Sequence, residues 1–193
     1  IIGDPTEGAL VVAAAKAGWS KEKAEGKYPR LAEIPFDSGR KLMTTFHSWE
    51  GEVRSFTKGA PDVLLQACTH LFTQRGRKTL TGEYKERLIA INGDLAARGE
   101  RVLALALRSW PQVPAELATA TVEKELTLVG FFALQDPARP EATEAVEISR
   151  RAGIRTIMIT GDHPETAAAI AQDLDILWPG DGVLTGIDLN KMN

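Results

Sequence analysis

The sequence predicts an α+β fold in two parts, an antiparallel sheet flanked by helices over residues 1–134 and a partial parallel α/β segment over residues 135–193. In the first part, short apolar stretches bounded by turn residues predict paired strands. From residue 126 onward, the predicted order strand, helix, strand, helix is typical of a parallel sheet, so the strand at 126–134 leads into the second part. With about 60 residues, this second part is too small for a complete doubly wound domain.

The first helix is predicted by its start and stop signals. Asp4 is a good N-cap, Pro5 suits the first helical position, and Gly18 is a natural stop after an alanine-rich stretch. Residues 20–27 are polar and rich in lysine and glutamate, so we expect a loop or a solvated turn there.

Strand composition recurs along the first part, at residues 31–36, 42–47, 53–58, 102–107 and 126–134. Turn residues at 37–39 separate the first two stretches. Glu50 and Gly51 lie between the second and the third, which predicts an antiparallel hairpin. The stretch at 102–107 has the length and composition of a buried strand.

Two further helices are expected between the hairpin and the fourth strand. One begins near Pro61 and would direct Cys68 toward the core; the other follows Thr81 and ends at Gly99. Residues 109–114 contain two prolines and break the pattern, so we interpret them as a connector.

The second part is predicted to begin with a helix over about residues 141–152, ended by Gly153. Residues 154–160 are mostly apolar and β-branched, which predicts a strand. A helix would then start near residues 161–164 and run to about residue 174. Residues 178–193 read as a loop.

Composition excludes several classes of protein. The net charge is −3, from 23 basic and 26 acidic residues, which argues against a broad nucleic-acid-binding surface. Cys68 is the single cysteine, and no histidine or cysteine spacing suits a metal, so no metal site is expected. No apolar stretch approaches the roughly 20 residues of a membrane helix. Because the chain begins without methionine, we expect it to be a piece of something longer.

Thr160, Gly161 and Asp162 form the first candidate site, predicted to lie where a strand ends and a helix begins. Ligands of parallel α/β sheets bind at such junctions, and helix N-termini favour phosphate. The threonine hydroxyl can donate to a phosphoryl oxygen. The alternative is a turn and helix cap with no ligand.

Phe36, Lys41, Lys58 and Gly59 form a second candidate group. An aromatic side chain can stack on a base, lysines can pair with phosphates, and a glycine allows a ligand close to the backbone. The alternative is that Phe36 belongs to the core and that the lysines are solvated. The common phosphate loop, Gly-x-x-x-x-Gly-Lys-Ser/Thr, does not occur in the sequence.

Six short motifs occur in a particular order: GDPTEGAL at 3–10, IPFDSGRKLM at 34–43, TKGAPD at 57–62, RVLALA at 101–106, DPARP at 136–140 and ITGDHP at 159–164. In this order they resemble the cytoplasmic headpiece of P-type cation-transporting ATPases, most closely the calcium-pump-like type II group. The resemblance covers about residues 3–189. Each motif alone is weak or moderate, and their order makes the resemblance specific.

The resemblance implies an N-terminally truncated nucleotide-binding domain over residues 1–134 and part of a Rossmann-like, haloacid dehalogenase-type phosphorylation domain over residues 135–193. ATP is then the expected ligand, with Mg²⁺ in the longer parent protein. The implied nucleotide contacts are Phe36 stacking on adenine, Glu7 at the adenine edge, Lys41 and Lys58 lining the pocket, Gly59 allowing close approach and Arg101 reaching the phosphates.

For the second part, the resemblance implies that Asp136 and Arg139 belong to the hinge between the domains. It also implies that Thr160, Gly161 and Asp162 contact the transferred phosphoryl group. The parent would be a membrane pump that couples ATP hydrolysis, through an aspartyl-phosphate, to cation transport. Its actuator, transmembrane and remaining phosphorylation parts would be the partners of this chain, which would lie on the cytoplasmic side.

The sequence departs from the family in two motifs. The phosphorylated aspartate lies in Asp-Lys-Thr-Gly-Thr, and magnesium ligands come from Thr-Gly-Asp-Gly-Val-Asn-Asp; neither occurs in this sequence. We therefore expect the chain to bind nucleotide without turning it over. Two alternatives stay open, a soluble haloacid dehalogenase-type phosphatase or phosphotransferase, for which Asp173 and Asp175 have the right spacing, and a regulatory module without activity.

Overall fold

The computed structural model describes residues 4–135, 138–160 and 164–192. The chain divides into two compact units. The first comprises Ile1–Ala90 with Val102–Leu134, and the second comprises Ile91–Arg101 with Gln135–Asn193. The assignment of residues 1–134 and 135–193 to a nucleotide-binding and a phosphorylation domain stays a prediction.

A seven-stranded mixed sheet organises the first unit. Its strands are β1 Arg30–Asp37, β2 Leu42–Trp49, β3 Glu52–Gly59, β4 Cys68–Thr73, β5 Gly76–Thr79, β6 Arg101–Trp110 and β7 Leu126–Leu134. The spatial order is β1-β2-β3-β6-β7-β4-β5. Strands β1, β2, β3 and β6 pair antiparallel, whereas β4 pairs antiparallel with β5 and parallel with β7. This sheet with its helices agrees with the predicted α+β class, but the prediction of an antiparallel sheet is wrong in one respect, because β4 pairs parallel with β7 and the sheet is mixed.

The described residues also form helices, of which the last three belong to the second unit. They are α1 Pro5–Lys16, α2 Lys21–Lys27, α3 Pro61–Ala67, α4 Gly82–Ala97, α5 Thr119–Val122, α6 Pro140–Arg151, α7 Pro164–Asp173 and α8 Gly186–Lys191. Helix α1 begins as predicted, since an Asp4 carboxylate oxygen accepts from the backbone N–H groups of Thr6 and Glu7 at 2.8 and 3.3 Å. The hairpin prediction is also confirmed, because Glu50 and Gly51 both have positive φ, 50° and 88°, as the tight turn between β2 and β3 requires.

The prediction of a loop at residues 20–27 is wrong, because α2 forms there. Ser20 caps this helix by accepting from the Lys23 N–H at 3.3 Å. The Tyr28 ring, at its C-terminal end, stacks on Trp49 with centroids 3.8 Å apart. Such a cap and tertiary anchor can stabilise a short helix whose own composition is unremarkable.

Sequence reasoning also missed elements on either side of β6. Cys68, expected to continue the helix from Pro61, instead begins β4 of the β4–β5 hairpin. The proposed connector at 109–114 starts inside β6, which continues to Trp110, and α5 follows it. The Trp110 indole N–H donates to the Ser55 hydroxyl at 2.9 Å, so the end of β6 is held to the neighbouring strand β3.

In the second unit, α6 and the glycine stop at Gly153 are confirmed, with φ of 75° at the glycine. The strand predicted at residues 154–160 is wrong: this segment has no regular structure, and the Ile159 side chain is 93% exposed. A strand needs a neighbour for its backbone N–H and C=O groups, and no described strand pairs with this segment. The haloacid dehalogenase-type arrangement therefore stays a prediction.

Residues 178–193 are also not entirely loop, because they contain α8. Thr185 and Asp188 form a capping box at its start, in which the Thr185 hydroxyl accepts from the Asp188 backbone N–H. Hydrogen bonds from the Thr185 hydroxyl and backbone lower the pKa of the Asp188 carboxyl. A short capping box of this kind is readable from sequence, but the segment lacks the apolar periodicity that predicts a helix.

The core of the first unit lies under one face of the sheet. It consists of Leu42, Leu64, Leu65, Cys68, Leu80, Ala104, Ala106, Leu126 and Leu128, with a smaller cluster of Ile34, Phe46 and Val122. Helix α3 contributes the two leucines at 64 and 65, which are almost fully buried. Burial of this apolar area provides the main favourable free energy for folding of the sheet.

Gly59 ends β3 at a point where two segments of backbone come very close. A Cβ atom at this position would lie 2.2 Å from the Lys41 carbonyl oxygen and 2.7 Å from Leu42 Cδ2. Glycine is therefore required here by the packing of β2 against β3, whatever else approaches the site.

We predict that Gly59→Ala lowers the free energy of unfolding by about 1–3 kcal/mol, because the backbone must shift to admit the methyl group. Urea denaturation followed by circular dichroism measures this change. Gly26→Ala is the matched control, since nothing lies within 4 Å of a Cβ at Gly26 in α2. The control should leave stability unchanged or raise it, and an equal loss in both variants would contradict the packing argument.

Candidate functional site

Cross-strand register assigns side chains to the two faces of the sheet. Met43 lies opposite Lys58, and Lys58 lies opposite Leu105. Directly opposed residues of antiparallel strands share a face. We call this side of β1, β2, β3 and β6 the open face, because its side chains at Met43, Lys58 and Leu105 are half-buried whereas their neighbours Leu42 and Ala104 on the other face are buried.

A β-bulge in β1 places Phe36 on the open face. Ile34 lies opposite Thr44 and Asp37 lies opposite Leu42, so two residues of β1, Pro35 and Phe36, face the single residue between them on β2. Because side chains alternate, the extra residue turns Phe36 away from the core face that Ile34 shares. The Phe36 ring is accordingly 61% exposed.

Glu7 and Lys58 meet beside this row of residues. Glu7 lies in the first turn of α1, and both of its carboxylate oxygens accept from the Lys58 ammonium. The Lys58 side chain is 21% exposed and that of Glu7 56%. An accessible carboxylate thus lies next to a partly buried cation, and the two can recognise donor and anionic groups of one ligand.

Lys41 lies at the same end of β3. It occupies the turn between β1 and β2 with φ of 55°, and its carbonyl accepts from the Ala60 N–H at 3.2 Å. Its exposed ammonium is 3.9 Å from an Asp62 carboxylate oxygen in the first turn of α3. Gly59 lies between Lys58 and Ala60, the residue that contacts the Lys41 carbonyl oxygen. Both lysines therefore lie next to the same short segment of backbone.

The structure therefore brings together five of the predicted nucleotide contacts, Glu7, Phe36, Lys41, Lys58 and Gly59. Arg101 begins β6 and is grouped with the second unit, as are Arg139, at the N-cap position of α6, and Thr160. Asp136, Gly161 and Asp162 lie outside the described residues. The roles predicted for these six residues stay predictions.

Met43 and Leu105 are candidate site residues that sequence reasoning missed. They flank Lys58 across the open face, and Met43 offers an apolar side chain beside Phe36. Alternation along β2 and β6 separates them from the buried residues, but only the register between strands puts them beside Lys58.

Other side chains that could support catalysis are placed unfavourably. Burial raises the pKa of the Cys68 thiol to about 12, so it is not an active nucleophile at neutral pH. Asp173 ends helix α7, not a strand, unlike the nucleophile of the phosphatase alternative. Within the described ranges, no three acidic, histidine or cysteine side chains group in a way that could hold a metal ion.

Comparison with known proteins identifies the family. The family model described as P-type ATPase, cytoplasmic domain N, matches residues 1–141. The match includes the whole sheet and every residue of the open face named above. The chain belongs to the P-type ATPase family, and the resemblance drawn from its motifs is confirmed.

Relatives within the family are calcium- and cation-transporting ATPases. The chain is 42% identical over 192 residues to Calcium-transporting ATPase 1 of Lactococcus lactis, which covers 100% of this chain and 22% of that protein. It is 42% identical over 193 residues to a calcium-transporting ATPase of Bacillus subtilis, covering 99% and 22%. It is 39% identical over 185 residues to Cation-transporting ATPase pma1 of Synechocystis, covering 95% and 20%.

The chain spans about a fifth of the length of the curated relatives it matches. Across the parts of the chain that the structure describes, none of the helices is both long and apolar enough to cross a membrane.

We predict that Phe36→Ala changes the free energy of unfolding by less than about 0.5 kcal/mol, because the ring is exposed and leaves no cavity. Phe46→Ala is the matched comparison, since Phe46 is 0% exposed in the core. Phe46→Ala should lower the free energy of unfolding by about 3–5 kcal/mol. Thermal and urea unfolding of the two variants measure the difference, and a large loss from Phe36→Ala would show that the ring is part of the core.

Proposed function

We propose that this chain is the ATP-binding part of a P-type cation pump, with the nucleotide on the open face of the sheet. The observation that carries the proposal is the exposed Phe36 ring, turned by the bulge onto the face that carries Lys58. An exposed aromatic ring next to cationic groups suits a ligand that has a planar base and phosphates.

In this proposal the adenine ring stacks on Phe36 and packs against Met43 and Leu105. The exocyclic amine of adenine donates to the Glu7 carboxylate, which also holds the Lys58 ammonium. Lys58 and Lys41 then meet the phosphates where β3 ends at Gly59. As the family resemblance implies, Arg101 would contact the phosphates.

The longer protein would transfer the γ-phosphoryl group to an aspartate and couple that step to movement of a cation. Such a transfer needs a phosphoryl acceptor and a positioned magnesium ion, and the family motifs for both are missing from this sequence. We therefore assign both functions to other parts of the longer protein. Thr160, Gly161 and Asp162 would contact the transferred group, and Asp136 with Arg139 would form the hinge.

Calcium is the transported ion that the names of the relatives favour, and the ligands of that ion would lie in the membrane part of the longer protein. The chain would then face the cytoplasm, because the matching family model describes a cytoplasmic domain. The actuator, membrane and remaining phosphorylation parts of the same polypeptide would be its partners.

Calorimetric titration with ATP tests the binding site. We predict that Phe36→Ala weakens ATP binding by about 1–3 kcal/mol, the value of a stacked base. The separate variant Lys58→Ala should also weaken ATP binding, because it removes a phosphate partner. Phe72→Ala is the matched control, because Phe72 is also exposed, at 56%, but lies on β4. Equal ATP affinity in the wild type, Phe36→Ala and Phe72→Ala would contradict the adenine site.

The preference of the site for ATP over GTP tests the proposed role of Glu7 at the adenine edge. A carboxylate accepts from the adenine amine and repels the corresponding carbonyl oxygen of guanine. We predict that Glu7→Gln reduces the preference for ATP over GTP by about ten-fold, since an amide can serve either as donor or as acceptor. Competition binding of the two nucleotides measures the ratio. A preference that does not change in Glu7→Gln would remove Glu7 from the adenine edge.

A further inference from the structure

The bulge that presents Phe36 is held by a side chain outside the predicted site. One guanidinium nitrogen of Arg40, Nη2, donates to the carbonyl oxygen of Pro35 at 2.8 Å. Pro35 is the bulge residue immediately before Phe36. Proline has no N–H group, so its carbonyl is the backbone group through which a partner can hold the bulge.

Arg40 is itself held by an acidic residue from a distant part of the chain. Its Nη1 atom lies 2.5 Å from Glu123 Oε1. Glu123 directly follows α5, and its side chain is only 4% exposed, whereas that of Arg40 is 23% exposed. An ion pair with one partner this deeply buried has a strong geometric preference, because the carboxylate has lost most of its water.

A buried threonine holds the Glu123 carboxylate in place and is itself hydrogen-bonded to a second buried threonine. The Thr44 hydroxyl donates to Glu123 Oε1 at 3.0 Å, and the Thr44 and Thr57 hydroxyl oxygens are 2.9 Å apart. Both threonines are fully buried on the core face of β2 and β3, and Thr44 lies opposite Ile34 of β1. The carboxylate is thus anchored to buried side chains of β2 and β3, at the position next to the bulge.

From this geometry we infer that Glu123 is a positioning residue for the ligand site on the opposite face. It holds the Arg40 guanidinium against the Pro35 carbonyl, and this contact keeps the extra residue of β1 in the conformation that turns Phe36 outward. The inference rests on the proposed function, because it assigns to Glu123 an effect on the base that Phe36 would bind.

The fork of the arginine is essential to this arrangement. One guanidinium nitrogen pairs with Glu123 and the other with Pro35, at 2.5 and 2.8 Å. A lysine has a single ammonium at the end of a flexible chain and cannot reproduce this planar pair of contacts. Arg40→Lys therefore keeps the positive charge beside Glu123 while it removes the link to the bulge.

The test compares binding of ATP with binding of inorganic triphosphate, which has phosphates but no base. Calorimetry is carried out on the wild-type chain, Glu123→Gln, Arg40→Lys and the control Glu125→Gln. Glu125 is close in sequence and also pairs with an arginine, Arg108 at 3.2 Å, but is 63% exposed. Circular dichroism and thermal unfolding identify any variant that has not folded, and Arg40→Lys then replaces Glu123→Gln as the decisive variant.

We expect Glu123→Gln and Arg40→Lys each to weaken ATP binding by about five- to ten-fold, part of the loss expected from removal of a stacking ring. Triphosphate binding should change by less than about two-fold, and Glu125→Gln should match the wild type. In a Phe36→Ala background, Glu123→Gln should produce no further loss of ATP affinity, because both changes act through the same ring.

Three results would overturn the inference. ATP affinity in Glu123→Gln and Arg40→Lys equal to that of Glu125→Gln would show that the bulge holds without the ion pair, and the proposed function would stand. Equal losses for ATP and triphosphate would show general damage to the site rather than positioning of Phe36. A wild-type chain that binds neither ligand would refute the proposed function itself, and the role of Glu123 with it.

Discussion

A single extra residue in β1 determines what the open face of this sheet presents. The strand pairs regularly with β2 from Ala32 to Ile34 and again at Asp37, and the two residues between Ile34 and Asp37 share one partner. Because side chains alternate along a strand, this irregularity decides whether an aromatic ring joins the core or points toward solvent. Ile34, before the bulge, stays in the core, whereas the exposure of Phe36 is a consequence of the bulge.

The two faces of strands β2 and β3 have different roles. On the core face, Thr44, Thr57 and Glu123 form a polar network among buried apolar residues, and Arg40 connects this network to the bulge. Such networks are stable only when each buried polar group has a partner, which favours one arrangement of the strands. On the open face, Glu7 and Lys58 pair where a helix start meets the sheet, and they leave groups that a ligand can reach.

The family assignment and the geometry of the open face rest on different observations, and each supports the other. The match to a P-type ATPase cytoplasmic domain concerns the chain as a member of a family. The arrangement of Phe36, Met43, Lys58 and Leu105 across four strands concerns what this face can bind. Gly59 shows why the family assignment and the geometry are both needed. The resemblance implies a ligand near this glycine, but close packing against Lys41 and Leu42 already requires glycine at that position.

The sequence by itself determined the elements whose signals are local, such as the Asp4 cap of α1, the Glu50–Gly51 turn and the Leu126–Leu134 strand, and it determined the family through ordered motifs. Only the tertiary structure decided the register, the bulge and the partners of Arg40, since these depend on residues up to 83 positions apart. The same reason explains the errors. Residues 154–160 have strand composition but no described neighbour, whereas α2 has a polar composition but gains a cap and an aromatic anchor. Local propensity proposes a structure, and long-range contacts decide whether it forms.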